Sequence, residues 1–240
     1  MKIALYGYGR MGKAIEAAAL QRGHEVVLRV DQHNAGTPPT GAEVAIEFSR
    51  PGTAMDNMRL CLAHGVPVVV GTTGWYDRLA EVEALVEAHR GSLLWASNFS
   101  IGVNLFFRLN QHLAALMGAH ANYAAGITEI HHVHKLDAPS GTAITLADGI
   151  VKGSGRYTGW ALTGDDGGAP DNGRVPIRSM RTGEVPGTHE VRWESAGDRI
   201  TLVHEAFGRT GFAVGAVVAA EWLRGRTGLH TMADVLGPLR

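Results

Sequence analysis

Short apolar runs alternate with amphipathic stretches over the first hundred residues. The runs at 2–6, 25–30, 44–48, 67–70 and 93–96 are rich in Val, Ile and Leu, which is typical of buried strands. Between them, at about 11–22, 52–64 and 76–89, apolar residues recur at helical spacing. This alternation predicts an α/β fold in which helices cover both faces of a parallel sheet.

The pattern changes after a helix predicted at about 102–117. Strand-like runs at 176–182, 189–195 and 199–204 follow one another without helices between them, which favours a mixed or antiparallel sheet in a second, α+β domain. Residues 153–172, rich in Gly and Asp, are expected to form a mobile loop or excursion. An apolar helix at 212–223 is expected to return to the first domain. The predicted domains are therefore 1–102 plus 212–240, and 103–211.

A glycine-rich turn follows the first apolar run. Its six residues read G-x-G-x-x-G and lead directly into a helical pattern, in the order that a dinucleotide site needs. They are Gly7, Tyr8, Gly9, Arg10, Met11 and Gly12. The second strand ends at Asp31, 19 residues after Gly12, where a carboxylate would accept hydrogen bonds from ribose hydroxyls.

Three further loops follow strands of the predicted parallel sheet. Ligands of such sheets bind beyond the carboxyl ends of the strands, so these loops are expected to surround the cofactor, although each is also consistent with a structural turn. The first loop spans 47–49. The candidate cofactor contacts in the other two are Gly71, Thr72, Thr73, Ser97, Asn98, Phe99 and Ser100.

Residues 129–143, EIHHVHKLDAPSGTA, concentrate groups that can move protons or hold anions. Residues 129–135 have the character of a short strand that ends before Pro139, which has no N–H to donate. In a strand, residues two apart share a face. His131 and Lys135 should then point one way, and His132 and His134 the other.

A helix is predicted directly after this segment, with Ser140 as its N-cap. Gly141 and Thr142 fall in the first turn, where backbone amides lack partners within the helix and the helix dipole is positive. A carboxylate or phosphate would bind here, and Gly141 would permit close approach.

His132 and His134 also form a His-x-His pair that could bind a metal ion. No Cys-x-x-Cys or His-Glu-x-x-His motif accompanies this pair, so zinc has too few ligands and no metal is expected.

Composition narrows the class of protein. With 240 residues and a net charge of -1, the chain is long enough for two domains and carries no basic excess for nucleic acid or acidic membranes. No apolar run approaches the roughly 18 residues of a membrane span, and Lys2 leads straight into a strand rather than a signal peptide. The single Cys61 excludes an internal disulfide and is expected to be a buried structural thiol. A cytoplasmic location is expected.

Several segments together resemble one family. GYGRMG, EFSRP, VVVGTTGW, SNFSIGVN, HHVHKLDAPSGTA, RTGEVPGTHEVRW and HEAFGRTGFAVGAVVAA occur in the order seen in bacterial 4-hydroxy-tetrahydrodipicolinate reductases, the dihydrodipicolinate reductases of lysine and diaminopimelate biosynthesis. The resemblance covers nearly the whole chain. It implies a Rossmann-like nucleotide domain, an α+β substrate and tetramerisation domain, and a homotetramer.

The resemblance also implies roles for individual residues. His131 matches the family's proton donor, Lys135 its second catalytic group and His132 a substrate contact, while Gly141 and Thr142 match the turn that holds a substrate carboxylate. The remaining matches are to cofactor contacts: 7–12, Asp31, 71–73 and 97–100. The implied reaction is reduction of 4-hydroxy-tetrahydrodipicolinate, a cyclic dicarboxylate, to tetrahydrodipicolinate with loss of water. A nicotinamide would donate hydride to C4, and a cationic acid would protonate the neighbouring carbon.

The chain departs from longer family members between residues 31 and 47. Asp31 is followed by Gln32 and His33, so a 2′-phosphate would meet a carboxylate without an adjacent cation. NADH is therefore expected to serve at least as well as NADPH, unless Arg10 or His33 compensates. Arg209 is either a further charge at the substrate site or a surface arginine.

Two alternatives stay open at this stage. Aspartate dehydrogenases and sugar-type oxidoreductases share the nucleotide domain but use another substrate pocket. A non-catalytic NAD-sensing protein would not need His131 and Lys135 on one face.

Overall fold

Six parallel strands form the sheet of the first of two compact units in the computed structural model, which describes residues 1–164 and 173–238. This unit comprises Met1–Ile101 and the described chain from Arg209 onwards. Its strands are β1 (Lys2–Tyr6), β2 (Glu25–Val30), β3 (Val44–Glu47), β4 (Val68–Val70), β5 (Ser92–Trp95) and β11 (Gly228–Thr231). Their spatial order is β11-β5-β4-β3-β1-β2, with every pairing parallel. The predicted parallel sheet is confirmed.

Helices cover both faces of this sheet because its central strands are apolar on both sides. The helices of the unit are α1 (Arg10–Gln21), α2 (Pro51–Ala63), α3 (Leu79–Ala88), α6 (Thr210–Leu223) and α7 (Met232–Leu236), and a 3-10 turn at Tyr76–Arg78 precedes α3. The apolar helix α6 buries Ala216, Val217 and Ala220 in the core formed with β1 and α1. A side chain at Gly215 would collide with the carbonyl of Phe99, so glycine allows α6 to approach that closely.

The second unit, Gly102–Gly208, is built on a mixed five-stranded sheet, as the sequence predicts. Its strands are β6 (Ala124–His131), β7 (Gly159–Thr163), β8 (Arg174–Arg181), β9 (Thr188–Glu194) and β10 (Arg199–Glu205), in the order β10-β9-β6-β8-β7. Strand β6 runs parallel to β8 and antiparallel to β9. Helices α4 (Ile101–Met117) and α5 (Gly141–Ser154) contribute Phe106, Leu146 and Ile150 to a core closed by Val191 and Trp193.

Two local predictions were wrong. The strand predicted at 129–135 begins earlier and ends at His131, because the chain then turns, with the Lys135 amide donating to the His132 carbonyl at 3.2 Å. The segment predicted as a loop at 153–172 contains the end of α5 and the strand β7, and its residues 165–172 lie outside the described part. The sequence analysis also did not identify β11 or α7.

Cys61 is buried, as expected, and burial raises the pKa of its thiol to about 12. In the described ranges 1–164 and 173–238, none of the helices has both the length and the apolar character of a membrane span.

Candidate active site

A cavity of about 410 Å³ opens at the carboxyl ends of β1, β2 and β3 in the first unit. Strand β1 lies between β2 and β3, so the chain leaves β1 towards one side of the sheet and later returns on its other side. This reversal of strand order is where open α/β sheets bind ligands. Gly7, Tyr8, Gly9 and Asp31 line the cavity, and the sequence predicted all four as cofactor contacts.

The glycine turn has the geometry that a pyrophosphate requires. Gly7 has φ +93°, and a side chain there would overlap the carbonyl of Phe48. A Cβ at Gly12 would lie 2.5 Å from the Gly7 oxygen, whereas one at Gly9 would meet no atom within 4 Å. Helix α1 begins immediately after Gly9 without a side-chain cap. Its first amides and the open space at Gly9 therefore fit a phosphate.

Tyr8, Arg10 and Met11 occupy three different environments in this turn. The Tyr8 hydroxyl donates to Glu16, which also pairs with Arg29. Arg10 is exposed, and Met11 packs against the core. Of these three residues, Tyr8 lines the cavity.

Asp31 lines the same cavity, directly after β2. Its Oδ1 accepts from the His33 amide at 2.8 Å, and its own amide donates to Asn34 Oδ1 at 2.8 Å, which fixes the turn. His33 and Arg50 also line the cavity. Arg50 occupies the N-cap position of α2 without a side-chain capping bond, so a cation does accompany Asp31 in the cavity, although it is not adjacent in sequence. The segment EFSRP did not by itself predict a role for its arginine.

The predicted loops after β4 and β5 do not line this cavity. Thr72 is buried and its carbonyl accepts from the Trp75 indole at 2.7 Å, while Gly71 packs against the Phe48 ring. Phe99 is a core residue, with its ring centroid 5.5 Å from that of Phe48. Ser97 and Thr73 are exposed, and Asn98 Oδ1 accepts from the Ser100 amide at 2.9 Å.

In the second unit, strand register brings together a buried cluster around Glu129. Glu129 on β6 lies opposite Ser179 on β8 and His189 on β9, and His131 lies opposite Arg181. The carboxylate is fully buried. Its Oε1 accepts from Arg181 Nη2 at 3.1 Å and from the Ser140 amide at 3.2 Å, and its Oε2 lies against His131 Nδ1.

This environment holds Glu129 in its ionised form. Burial favours the neutral acid, but the nearby polar groups of His131, Ser179 and Arg181 outweigh it and lower the pKa of Glu129 to about 2. Glu129 begins the segment EIHHVHKLDAPSGTA, but the sequence alone predicted no role for it.

His131 and His189 meet edge to face, with ring centroids 5.0 Å apart. Burial, followed by the neighbouring charge of His131, lowers the pKa of His189 to about 4, so that His189 is neutral near pH 7. Its Nε2 is 3.0 Å from Ser140 Oγ. On the other edge of His131, a Cβ at Gly187 would lie 3.0 Å from Nε2, so glycine leaves room at that nitrogen.

The predicted helix start is present. Helix α5 begins at Gly141, and the Ser140 hydroxyl caps it by accepting from the Ala143 amide at 3.2 Å. Gly141 is exposed, and a Cβ there would meet no atom within 4 Å. The amides of Gly141 and Thr142 lie in the first turn and have no acceptor within the helix, so this helix start has the properties of a carboxylate site.

Lys135 lies in the turn that follows β6, so strand alternation does not relate it to His131. The predicted shared face was therefore wrong. Lys135 Nζ contacts both oxygens of Asp137, at 2.7 and 2.8 Å, and Arg181 Nε donates to the Lys135 carbonyl at 3.3 Å. Arg181 thereby links this turn to Glu129.

The predicted His132 and His134 pair has ring centroids 6.0 Å apart, and His134 is exposed beside Glu184. Among residues 1–164 and 173–238, the three groups close enough to share a metal ion are instead Glu129, His131 and His189, with their ligand atoms within 4.8 Å. The Arg181 guanidinium on the same carboxylate opposes a divalent cation there.

A glycine turn at a strand-order reversal of a parallel sheet is typical of pyridine-nucleotide-dependent oxidoreductases of the Rossmann type, and the second unit adds a buried histidine–carboxylate pair. The sequence profile of the dihydrodipicolinate reductase amino-terminal domain matches residues 1–99, and that of the carboxy-terminal domain matches residues 102–236. The chain belongs to the dihydrodipicolinate reductase family.

Full-length relatives support this assignment. The chain is 46% identical over 241 residues to 4-hydroxy-tetrahydrodipicolinate reductase of Christiangramia forsetii, covering all of this chain and 99% of that protein. It is 34% identical over 266 residues to the enzyme of the same name from Thiobacillus denitrificans, covering 99% and 98% of the two chains. A dipicolinate-bound dihydrodipicolinate reductase from Paenisporosarcina sp. TG-14 shares the fold, with a TM-score of 0.74, 22% identity, and coverage of 96% and 97%.

Proposed function

We propose that this protein reduces 4-hydroxy-tetrahydrodipicolinate to tetrahydrodipicolinate in lysine and diaminopimelate biosynthesis. One hydride, from NADH or NADPH, and one proton are consumed, and one water is lost. The observation that carries the proposal is the full-length identity of 46% to a reductase of that name. We assign the nucleotide to the domain of residues 1–102 plus 212–240, and the substrate and subunit contacts to residues 103–211.

The substrate carries two carboxylates, and the second unit offers two places for them. We assign one carboxylate to the amides of Gly141 and Thr142 at the start of α5, where the Thr142 hydroxyl adds a donor. We assign the other to His132 and Lys135. Asp137 holds the Lys135 ammonium group in place until the substrate arrives.

The bound nicotinamide supplies the hydride, and His131 supplies the proton. His131 is almost fully buried and keeps its Nδ1 against Glu129, so Nε2 is the nitrogen left to donate. Water leaves first, as the C4 hydroxyl and a proton from the neighbouring carbon, and this forms a C=C bond conjugated with the ring imine. When hydride adds to C4, electron density develops on the neighbouring carbon; a proton moves there from Nε2, and the electron pair of the N–H bond stays on the imidazole. Lys135 is the second catalytic group, and its positive charge favours this transfer.

We further propose that NADH serves at least as well as NADPH. The carboxylate of Asp31 suits a ribose diol and repels a 2′-phosphate, whereas His33 and Arg50 in the same cavity allow NADPH to bind as well. A homotetramer in the cytoplasm completes the proposal, and light scattering of the purified protein tests the subunit number.

The central experiment follows NADH oxidation at saturating 4-hydroxy-tetrahydrodipicolinate, made freshly by a coupled synthase. His131→Gln should lower kcat by about 10² to 10⁴ and leave the Kd of NADH unchanged, since the candidate cofactor residues lie in the other unit. Lys135→Ala should lower kcat and also raise KM for the dicarboxylate. The matched control is His134→Gln, because His134 is exposed.

Two results would contradict the proposal at different levels. If wild-type protein fails to turn over this substrate but oxidises aspartate, it is a different dehydrogenase with the same nucleotide fold. If wild-type protein is active and His131→Gln keeps more than half of its kcat, the reaction stands and the proton donor is another group.

A further inference from the structure

Glu129 is a buried acid for which the proposed reaction, taken by itself, has no use. No part of the substrate or the nucleotide is assigned to Glu129. It nevertheless accepts hydrogen bonds from the Arg181 guanidinium and the Ser140 amide, and it lies against the imidazole of His131, the proposed proton donor. A carboxylate in a fully buried position is costly unless each such partner is present. We infer that Glu129 is the positioning residue of His131 and that Arg181 couples the Lys135 turn to it. This inference rests on the proposed function.

The contact with Glu129 determines the tautomer of His131. A carboxylate can only accept, so Nδ1 of His131 must carry the proton that faces Oε2. Neutral imidazole then has its lone pair on Nε2, and the imidazolium ion can release only its Nε2 proton without breaking the contact with Glu129. Nε2 is also the nitrogen at which Gly187 leaves room.

The charge balance around the imidazole points to the same role. The titratable and charged groups that face Glu129 and His131 come from β6, β8, β9 and the turn after β6: Arg181, His189, Lys135 and Asp137. His189 is neutral and bonded to Ser140. Lys135 is paired with Asp137. Glu129 is therefore the negative charge that directly stabilises an imidazolium ion at position 131.

The link to Lys135 runs through Arg181. Arg181 donates to Glu129 Oε1, to the Lys135 carbonyl and to the Asp137 carbonyl. One guanidinium thus fixes the turn that carries Lys135 relative to the carboxylate that holds His131. Its planar fork holds donors in fixed directions and spaced apart, which suits three separate acceptors better than the single nitrogen of a lysine does.

The experiment compares wild type, Glu129→Gln, His131→Gln and the double variant, with Glu184→Gln as the matched control on an exposed acid of the same unit. The experiment measures kcat and KM as a function of pH, with kcat calculated for the folded fraction of each protein. It also measures the Kd of NADH. Glu129→Gln should lower kcat by about 10- to 100-fold, as loss of a group that orients a histidine typically does. It should also move the fall in kcat at high pH towards lower pH, because the imidazolium ion loses its counter-charge.

The double variant separates positioning from an independent role. If Glu129 acts through His131, the double variant should be no slower than His131→Gln alone. Multiplied losses, or a Glu129→Gln enzyme with the wild-type kcat and pH profile, would overturn the inference while leaving the proposed function intact. An inactive wild type would instead refute the proposed function.

A measurement on wild-type protein keeps the test decisive if Glu129→Gln does not fold. Long-range ¹H–¹⁵N correlation spectra report which nitrogen of neutral His131 is protonated, and we expect Nδ1. A signal from the Nε2-protonated tautomer would overturn the inference.

Discussion

The pH dependence of stability offers a strong test of the cluster around Glu129. The pKa of this carboxyl is lowered from 4.5 to about 2 in the folded protein, so the folded state binds its proton less readily than the unfolded chain. Its ionised form stabilises the fold above about pH 4.5, and that contribution is lost as the pH falls towards 2. At about 1.36 kcal/mol per pKa unit, the contribution near pH 7 is on the order of 3 kcal/mol.

Glu129→Gln removes the titration and keeps the shape of the side chain. We expect the free energy of unfolding of this variant to be lower than that of wild type by about 3 kcal/mol near pH 7. Near pH 3 the difference should be only about 1.4 kcal/mol, because most of the stabilisation by the ionised carboxylate of wild type is lost at that pH. Urea unfolding of both proteins across this pH range, followed by circular dichroism and the fluorescence of buried Trp193, measures the difference. A difference that does not change with pH would refute the reasoning.

Four other predictions concern ligands. The Kd of NADH should be no higher than that of NADPH, and Asp31→Ala should reduce any difference between the two Kd values. Titrations of wild type in which NADPH binds ten-fold tighter, a difference of about 1.4 kcal/mol, would contradict this prediction. Arg50→Ala should weaken NADPH more than NADH, since only NADPH carries the 2′-phosphate; equal losses would exclude Arg50 from that role. Thr142→Val should raise KM with little change in kcat, because the amides remain; an unchanged KM would place the carboxylate elsewhere. Dialysis against a chelator should leave turnover unchanged, and activity restored by stoichiometric zinc would show that the Glu129 cluster binds metal.

Local features of the fold were predictable because the information that specifies them is local. The strand β1, the turn at Gly7 and the start of α1 occupy consecutive residues, and a positive φ together with close backbone packing demands glycine there. The start of α5 was predictable for the same reason: Ser140 caps the helix that immediately follows it.

Local information also explains the error at Lys135. The β-like composition of 129–135 continues beyond the point where pairing with β8 ends, and hydrogen bonds to a neighbouring strand, rather than composition, determine where a strand stops. Beyond that point the chain turns, so the alternation of faces no longer applies.

The sequence by itself determined the glycine turn after β1, the start of α5 and the segment richest in acid–base side chains. Only the tertiary structure placed Arg50 in the cavity with Asp31, because β2 and β3 lie on opposite sides of β1. It alone assembled Glu129, Arg181 and His189, which are up to 60 residues apart in sequence. Strand register decides which side chains meet across a sheet, and register depends on the packing of the whole unit rather than on any one segment.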